Sequence, residues 1–406
     1  MNLDPTPPIP LLSFFTGGGL MDLGFELEKR FEVVWTCEFN SHFAKLYAGG
    51  MTTYRQHHTP HKGAAAITHI GPVQDLTDEA ILQQAFPIGR PSIFGMIGGP
   101  PCQDFSINGQ RAGFTGDKGN LTSHFCDRIL SLRPAFFVIE NVTGLLQRNH
   151  KAGFASLLET LKSGYVVDHG KLNALDYGVP QSRERLFIIG LRRDLVRQPI
   201  NETREWADWH TEQVLPCPSR PARLSYNWPS IQDDDAEPLA PISEQLTLCV
   251  ASCLVAPEVE HLIANATERF KLKSLKARST KEGDVRNRSF KRLHRYRYSP
   301  TACYGNNEVH LHPFLNQRLS VREVLRIQSV PDAYELPADV AIVHKFKMIG
   351  NGVPVKLARG VAATLARLIK QHCNDLQGVN VVPTPSQVRT VSDTNRIGSF
   401  EARIRD

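Results

Sequence analysis

Short apolar runs alternate with amphipathic stretches through the first half of the chain. Leu11–Phe15, Phe31–Cys37, Ile93–Ile97, Ala135–Ile139 and Leu186–Leu191 are compact apolar runs of strand length. Between them, Met21–Arg30, Thr122–Leu132 and Phe154–Ser163 carry apolar positions at helical spacing. Strands alternating with helices predict an α/β domain built on a mostly parallel sheet. The texture changes after Leu191: residues 199–242 are rich in proline, hold Trp206, Trp209 and Trp228, and include the acidic run Asp233–Asp235. Helical patterning returns at Val321–Ile327 and Pro354–His372. The proline-rich residues 1–10 read as an extended arm, and residues 374–406, polar and without periodicity, as a loose tail.

Composition adds little to this, but charge distribution adds a good deal. Of the 406 residues, 41% are hydrophobic and 22% charged, the balance of a globular chain with a real core. No run approaches the roughly 18 apolar residues of a membrane span, and the N-terminus lacks a secretory pattern. Eight cysteines without regular spacing argue against a disulfide framework, so a soluble cytoplasmic protein with reduced thiols is expected. The net charge of +6 is unevenly placed. Glu268–Tyr298 alone holds twelve Lys/Arg against three acids, a local +9 that leaves the remainder at −3. A basic segment on a mildly acidic body suggests contact with a polyanion; a solvated surface loop is the alternative.

Four polar clusters stand where open α/β sheets bind ligands, beside the ends of apolar runs. The first, Phe15-Thr16-Gly17-Gly18-Gly19, links a strand to a helix, and Asp22 stands where a dinucleotide pattern would need its last glycine. Glu38, directly after the second run, is well placed to hold ribose hydroxyls, so a nucleoside cofactor without a pyrophosphate fits. The second cluster, Gly98-Gly99-Pro100-Pro101-Cys102-Gln103-Asp104-Phe105-Ser106, opens a loop rich in glycine. Its cysteine is a nucleophile or simply a small core residue. The third, Glu140-Asn141-Val142, places an acid after five apolar residues, which is costly unless the acid is paired or working. The fourth, Gln181-Ser182-Arg183-Glu184-Arg185, puts Gln181, Arg183 and Arg185 on one face of an extended segment.

Taken in order, these clusters resemble the motifs of the S-adenosylmethionine-dependent DNA (cytosine-5)-methyltransferase family, of the bacterial restriction-modification type. The resemblance spans about residues 11–372. Arg318–Gln328 is similar to the family's penultimate block and Gly350-Asn351-Gly352-Val353-Pro354 to its last. Two departures stand out: Leu20 occupies a position where many members carry a further glycine, and Gly352 one where alanine is usual.

The resemblance implies a Rossmann-like methyltransferase fold with an inserted target-recognition domain. The catalytic domain is expected at 1–190, the recognition domain at 191–316, a hinge and return segment at 317–372, and the tail at 373–406. It implies Cys102 as nucleophile toward cytosine C6, Glu140 as the acid at N3, and Arg185, with Arg183 and Gln181 behind, holding the base. For S-adenosylmethionine it implies Phe15 and Phe39 at the adenine, Gly17 and Gly19 at the methionine portion and Glu38 at the ribose. Asp75 is assigned to the adenine amino group, and Pro100, Leu121 and Asn351 line the same pocket. The loop 103–121 should close over a flipped-out cytosine of double-stranded DNA. Some of the basic segment is expected to hold phosphates, and a few residues among Arg286, Arg288, Arg292, Arg295 and Arg297 to read bases. A monomer with a restriction endonuclease encoded nearby completes the expectation. The rivals are a tRNA cytosine-5 methyltransferase on the same scaffold and a catalytically silent DNA-binding regulator. Among His57, His58, His61, His310, His312, Cys249 and Cys253 no metal site is expected, since no ligand spacing is complete.

Overall fold

The computed structural model describes residues 7–101, 117–197, 199–203, 205–209, 226–231, 238–275, 277–287, 289–301 and 309–373, with 117–120 as helix backbone only. Cys102, most of the loop after it, Arg288 and residues 374–406 lie outside the described residues.

Seven strands form the central sheet: β1 (Ile9–Phe14), β2 (Phe31–Glu38), β3 (His69–Ile70), β4 (Gly95–Gly98), β5 (Phe136–Asn141), β6 (Tyr165–Asn173) and β7 (Glu184–Arg192). Their order is β3-β2-β1-β4-β5-β7-β6. The first five are parallel, while β7 runs antiparallel to both β5 and β6. The order reverses between β1 and β4, so the crevice at the carboxyl ends of those strands is the natural ligand site. Because β7 runs the other way, its amino end reaches the same edge. That reversal brings Arg185 level with the ends of the parallel strands.

The helices are α1 (Leu20–Leu27), α2 (Ser41–His58), α3 (Asp78–Ala85), α4 (Asp117–Leu132), α5 (Lys151–Lys162), α6 (Ser243–Leu246), α7 (Val321–Ile327), α8 (Ile342–Asn351) and α9 (Val355–His372). One face of the sheet packs on α1 and α9 through Met21, Phe25, Leu357, Val361 and Leu365. The other packs on α3, α4 and α5 through Ile81, Phe125, Ile129, Phe154 and Leu161. The C-terminal helix therefore completes the N-terminal core. Gly24 permits this: a Cβ there would lie 2.5 Å from that of Ala358.

A further apolar cluster joins α2, α7 and α8 to Val250, Cys253 and Leu293 of the second half. α7 is fixed at its start by a capping box, with the Ser320 hydroxyl and the Glu323 carboxylate exchanging backbone bonds. Between α6 and α7 lies a two-stranded parallel sheet, β8 (Phe290–Arg292) and β9 (Val309–Leu311), over a small core of Ala277, Val309 and Leu311.

Candidate active site

The turn after β1 is held from three sides. Phe15, Gly17 and Gly19 all adopt positive φ (54°, 59° and 76°), and Phe15 does so without glycine's freedom. The Gly17 amide donates to a Glu38 carboxylate oxygen at 2.8 Å, and the Gly19 amide to the Thr16 carbonyl at 3.0 Å. Added side chains at Gly18 or Gly19 would collide with Met348 or Tyr47, whereas one at Gly17 would meet nothing within 4 Å. The turn is closed on its helix side and open at Gly17. This is the shape a ligand approaching the backbone requires, and a nucleoside cofactor fits it.

Glu38, at the carboxyl end of β2, is buried and also accepts from the Asn40 amide at 2.8 Å. Burial raises its pKa above the ordinary carboxylate value, and the backbone donors pull the other way. Phe39 beside it is 73% exposed, a free aromatic face at the mouth. The Phe15 ring meets Phe125 of α4 edge-on at 5.8 Å. Pro100 is buried after β4, Leu121 half-buried on α4, and Asp75 exposed in the turn after β3. Asn351 ends α8, exposed, and the residues around it touch the turn: Met348 closes on Gly18, and Gly352 on Leu20.

Behind the turn sits a feature with no counterpart among the sequence expectations. Asp22, in the first turn of α1, is fully buried and accepts from the Ser13 hydroxyl at 2.7 Å, while its second oxygen has no partner. Burial raises its pKa to about 7, against the pull of the Ser13 hydrogen bond; Glu26 adds to the rise and Arg55 opposes it.

Across the crevice, Glu140 is the penultimate residue of β5, one before Asn141. The Arg185 Nε lies 3.0 Å from one of its oxygens. The other oxygen would stand 3.0 Å from a Cβ on Gly99, which places the carboxylate over the turn that leads to Cys102. Burial raises the Glu140 pKa, opposed by Arg185 and Arg183. The alternation expected for Gln181, Arg183 and Arg185 is present, and it serves two purposes. Gln181 and Arg183 are wholly buried. Gln181 donates to the Gln328 side chain at 3.2 Å, and Arg183 to the Gly350 carbonyl at 2.7 Å. Gln328 in turn donates to the Ile349 carbonyl at 2.8 Å. These two side chains tie the penultimate and last motif segments to the sheet, leaving Arg185 as the partner of Glu140.

In the basic segment, one expectation is corrected. Arg292 is buried and donates to the carbonyls of Ala277, Thr280, His312 and Leu315, so it pins the small sheet and cannot reach a base edge. Arg295 grips Glu282 at 3.0 Å beneath the Phe314 ring, and Arg297 donates to the Pro229 carbonyl at 3.0 Å. Among the described candidates Arg286 is the exposed one, its side chain 76% accessible beside Asp284. Among the described residues no three His, Cys, Asp or Glu side chains converge as a metal cage would, and no helix is long and apolar enough to cross a membrane.

A doubly wound sheet with an open glycine turn at its switch point and an acid–arginine pair beside it defines a Rossmann-like α/β protein with a ligand crevice. The chain belongs to the C-5 cytosine-specific DNA methylase family, whose model matches residues 9–367. It is 36% identical over 370 residues to the Type II methyltransferase M.NmeDI of Neisseria meningitidis serogroup C, covering 89% of this chain and 84% of that one. It is 30% identical over 395 residues to M.MthTI of Methanothermobacter thermautotrophicus, covering 93% and 99%. Among solved structures, S. pombe Dnmt2 methyltransferase superimposes with a TM-score of 0.56 at 14% identity, over 89% of this chain and 99% of that one. Entamoeba histolytica methyltransferase EhMeth does so with the same score and identity, over 90% and 98%. These two likenesses concern the fold alone.

Proposed function

We propose that the protein transfers the methyl group of S-adenosylmethionine to C5 of a cytosine within one double-stranded DNA sequence, as the modification enzyme of a restriction-modification system. The observation that carries the reading is the Glu140–Arg185 pair standing over Gly99, across the switch point from the open turn at Gly17. The Type II names of the relatives support the restriction-modification setting.

Cytosine C5 is too weak a nucleophile to take a methyl group unaided. In the proposed reaction Cys102 Sγ bonds to C6, electrons move toward N3, and N3 takes a proton from Glu140. C5 would then bond to the electrophilic methyl group that S-adenosylmethionine supplies when bound, the S–CH3 bond breaking to leave S-adenosylhomocysteine. The C5 proton leaves to a base, the Sγ–C6 bond breaks, and the N3 proton returns to Glu140. A raised Glu140 pKa suits this role, because burial favours the protonated carboxyl more than water would, against the pull of Arg185 and Arg183. Arg185 orients the carboxyl and helps hold the base. Gly17, Gly19 and Glu38 are assigned to the cofactor's methionine and ribose portions, and Phe15, Phe39 and Asp75 to its adenine, with Pro100, Leu121 and Asn351 completing the wall.

Sequence choice is assigned to residues 191–316, with 103–121 closing over the flipped base. The decisive assay supplies labelled S-adenosylmethionine with duplex DNA and, separately, with tRNA. The reading requires 5-methylcytosine in DNA, confined to one sequence. Methylation of tRNA alone would replace it with the RNA-modifying alternative, and methylation of neither, with DNA still bound, with a silent regulator.

A further inference from the structure

The loop between α7 and α8 reaches back to the cofactor turn through one side chain. Tyr334 is completely buried, and its hydroxyl donates to the Gly18 carbonyl. Its ring occupies space that α2 leaves free only because residue 50 is glycine: a Cβ there would lie 2.0 Å from Tyr334 Cζ. The neighbouring Glu335 amide is also tied to α2, donating to the Thr53 hydroxyl at 2.9 Å.

The backbone of Tyr334 is held from the opposite side. Its carbonyl accepts from Arg322 Nη2 at 3.0 Å, and Arg322 Nε donates to the Ala264 carbonyl at 2.9 Å. Asn265 brackets Leu336, giving and taking one backbone hydrogen bond at 2.9 Å each. A continuous set of hydrogen bonds thus runs from residues 264–265, through Arg322 and Tyr334, to the middle glycine of the turn.

Three consecutive glycines have wide backbone freedom, and ordering them when a ligand binds is costly. The Gly17 and Gly19 amides are restrained by Glu38 and by Thr16. The peptide between Gly18 and Gly19 is thus held at both ends, its amide on the Thr16 carbonyl and its carbonyl by the Tyr334 hydroxyl. Burial raises the Tyr334 pKa, so the hydroxyl stays a donor across the working pH range.

We propose that Tyr334 is a positioning residue for the cofactor: its hydroxyl pre-orients the glycine turn, and through Arg322 it links that turn to residues 264–265. This rests on the turn being the S-adenosylmethionine site. The inference concerns a residue outside the ligand-facing set, and its effect should fall on cofactor binding rather than on chemistry.

The test compares wild-type protein with Tyr334→Phe, which keeps the ring against Gly50 and removes only the hydroxyl. Calorimetric titration with S-adenosylhomocysteine should show Kd weakened about tenfold, the scale of one buried hydrogen bond. Turnover at saturating S-adenosylmethionine should stay within about threefold of wild type, while the KM for that cofactor rises with Kd. Equal Kd values for the two proteins, or a loss that persists at saturating cofactor, would overturn the inference while leaving the cofactor assignment standing. No binding by the wild-type protein would overturn both.

Should Tyr334→Phe fail to fold, amide exchange in the wild type decides. Adding S-adenosylhomocysteine should slow exchange at 331–336 and 264–266 as well as at 15–19. Protection confined to 15–19 contradicts the inference.

Discussion

Leu20 and Gly352 fit each other: a Cβ on Gly352 would come within 2.7 Å of Leu20 Cδ2. These are the two positions at which the sequence is read as departing from the family it resembles, and in the structure they touch each other. The bulk that Leu20 adds at the start of α1 occupies the space Gly352 leaves after α8. Gly352→Ala should therefore destabilise the protein by about 1 kcal/mol, because a well-filled contact must rearrange. In a Leu20→Ala background the same substitution should cost less, and denaturant unfolding of the four proteins in the cycle measures the difference. Additive effects would mean the two sites are independent.

Glu140→Gln should lower turnover by about 10²–10⁴ with cofactor binding little changed, the scale of a lost general acid. The sign of the pH effect follows from the raised pKa. The carboxyl holds its proton to higher pH than an ordinary glutamate, and activity falls as pH rises through that pKa. Arg185 is a cause that lowers it, so Arg185→Ala should move the alkaline limb of the pH–rate profile upward while reducing the rate overall. A limb that moves downward, or stays in place, contradicts the pairing.

Asp22 should make stability depend on pH. Its folded-state pKa of about 7 lies above the ordinary value of 3.8, so the folded chain binds the extra proton. That contribution is fully present below about pH 4 and is lost as pH rises through about 7. Asp22→Asn should remove this dependence and gain stability above neutrality, on the order of a few kcal/mol. Urea midpoints from pH 4 to 8 give the answer; parallel curves for the two proteins would refute it.

The arginines of the basic segment should divide by location. Arg292→Ala leaves four carbonyls, two of them buried, without their donor and should cost about 3 kcal/mol of stability. Arg286→Ala should leave stability unchanged. If Arg286 contacts a phosphate, its loss lowers the slope of log affinity against log salt by about one. Thermal unfolding and salt-dependent DNA binding separate the two outcomes.

Much of the scaffold was legible because its buried strands are plain apolar runs: β1, β2, β4, β5 and β7 all fall on predicted segments. β6 escaped notice because Asp168, His169 and Lys171 interrupt its pattern. It is one of the two edge strands, and Asp168 is satisfied by the Trp206 and Ala207 amides at 2.8 Å each. The direction of β7 has no local signature, yet it is what carries Arg185 to Glu140. α2 falls on no predicted segment; its sequence carries Gly49 and Gly50, residues of low helix propensity. Gly50 is there to admit the Tyr334 ring, and Gly49 to admit Pro337. Arg292 is among the sequence candidates for base reading because charge along a sequence does not reveal which cations turn inward. Tyr334 gave no signal of its own; the adjacent glycines of α2 were the only hint that something large sits against that helix.

The central claim is covalent attack by Cys102 on a cytosine presented beneath Glu140. It is tested most directly with a duplex carrying 5-fluorocytosine at the methylated position, incubated with protein and S-adenosylmethionine and then denatured for intact-mass measurement. Fluorine cannot leave C5 as the proton does, so the elimination step is blocked. The account predicts a species with the mass of protein plus DNA plus one methyl group, linked at Cys102 and absent from Cys102→Ala. Methylation of ordinary duplex by the same preparation, with no adduct on the fluorinated one, would contradict it.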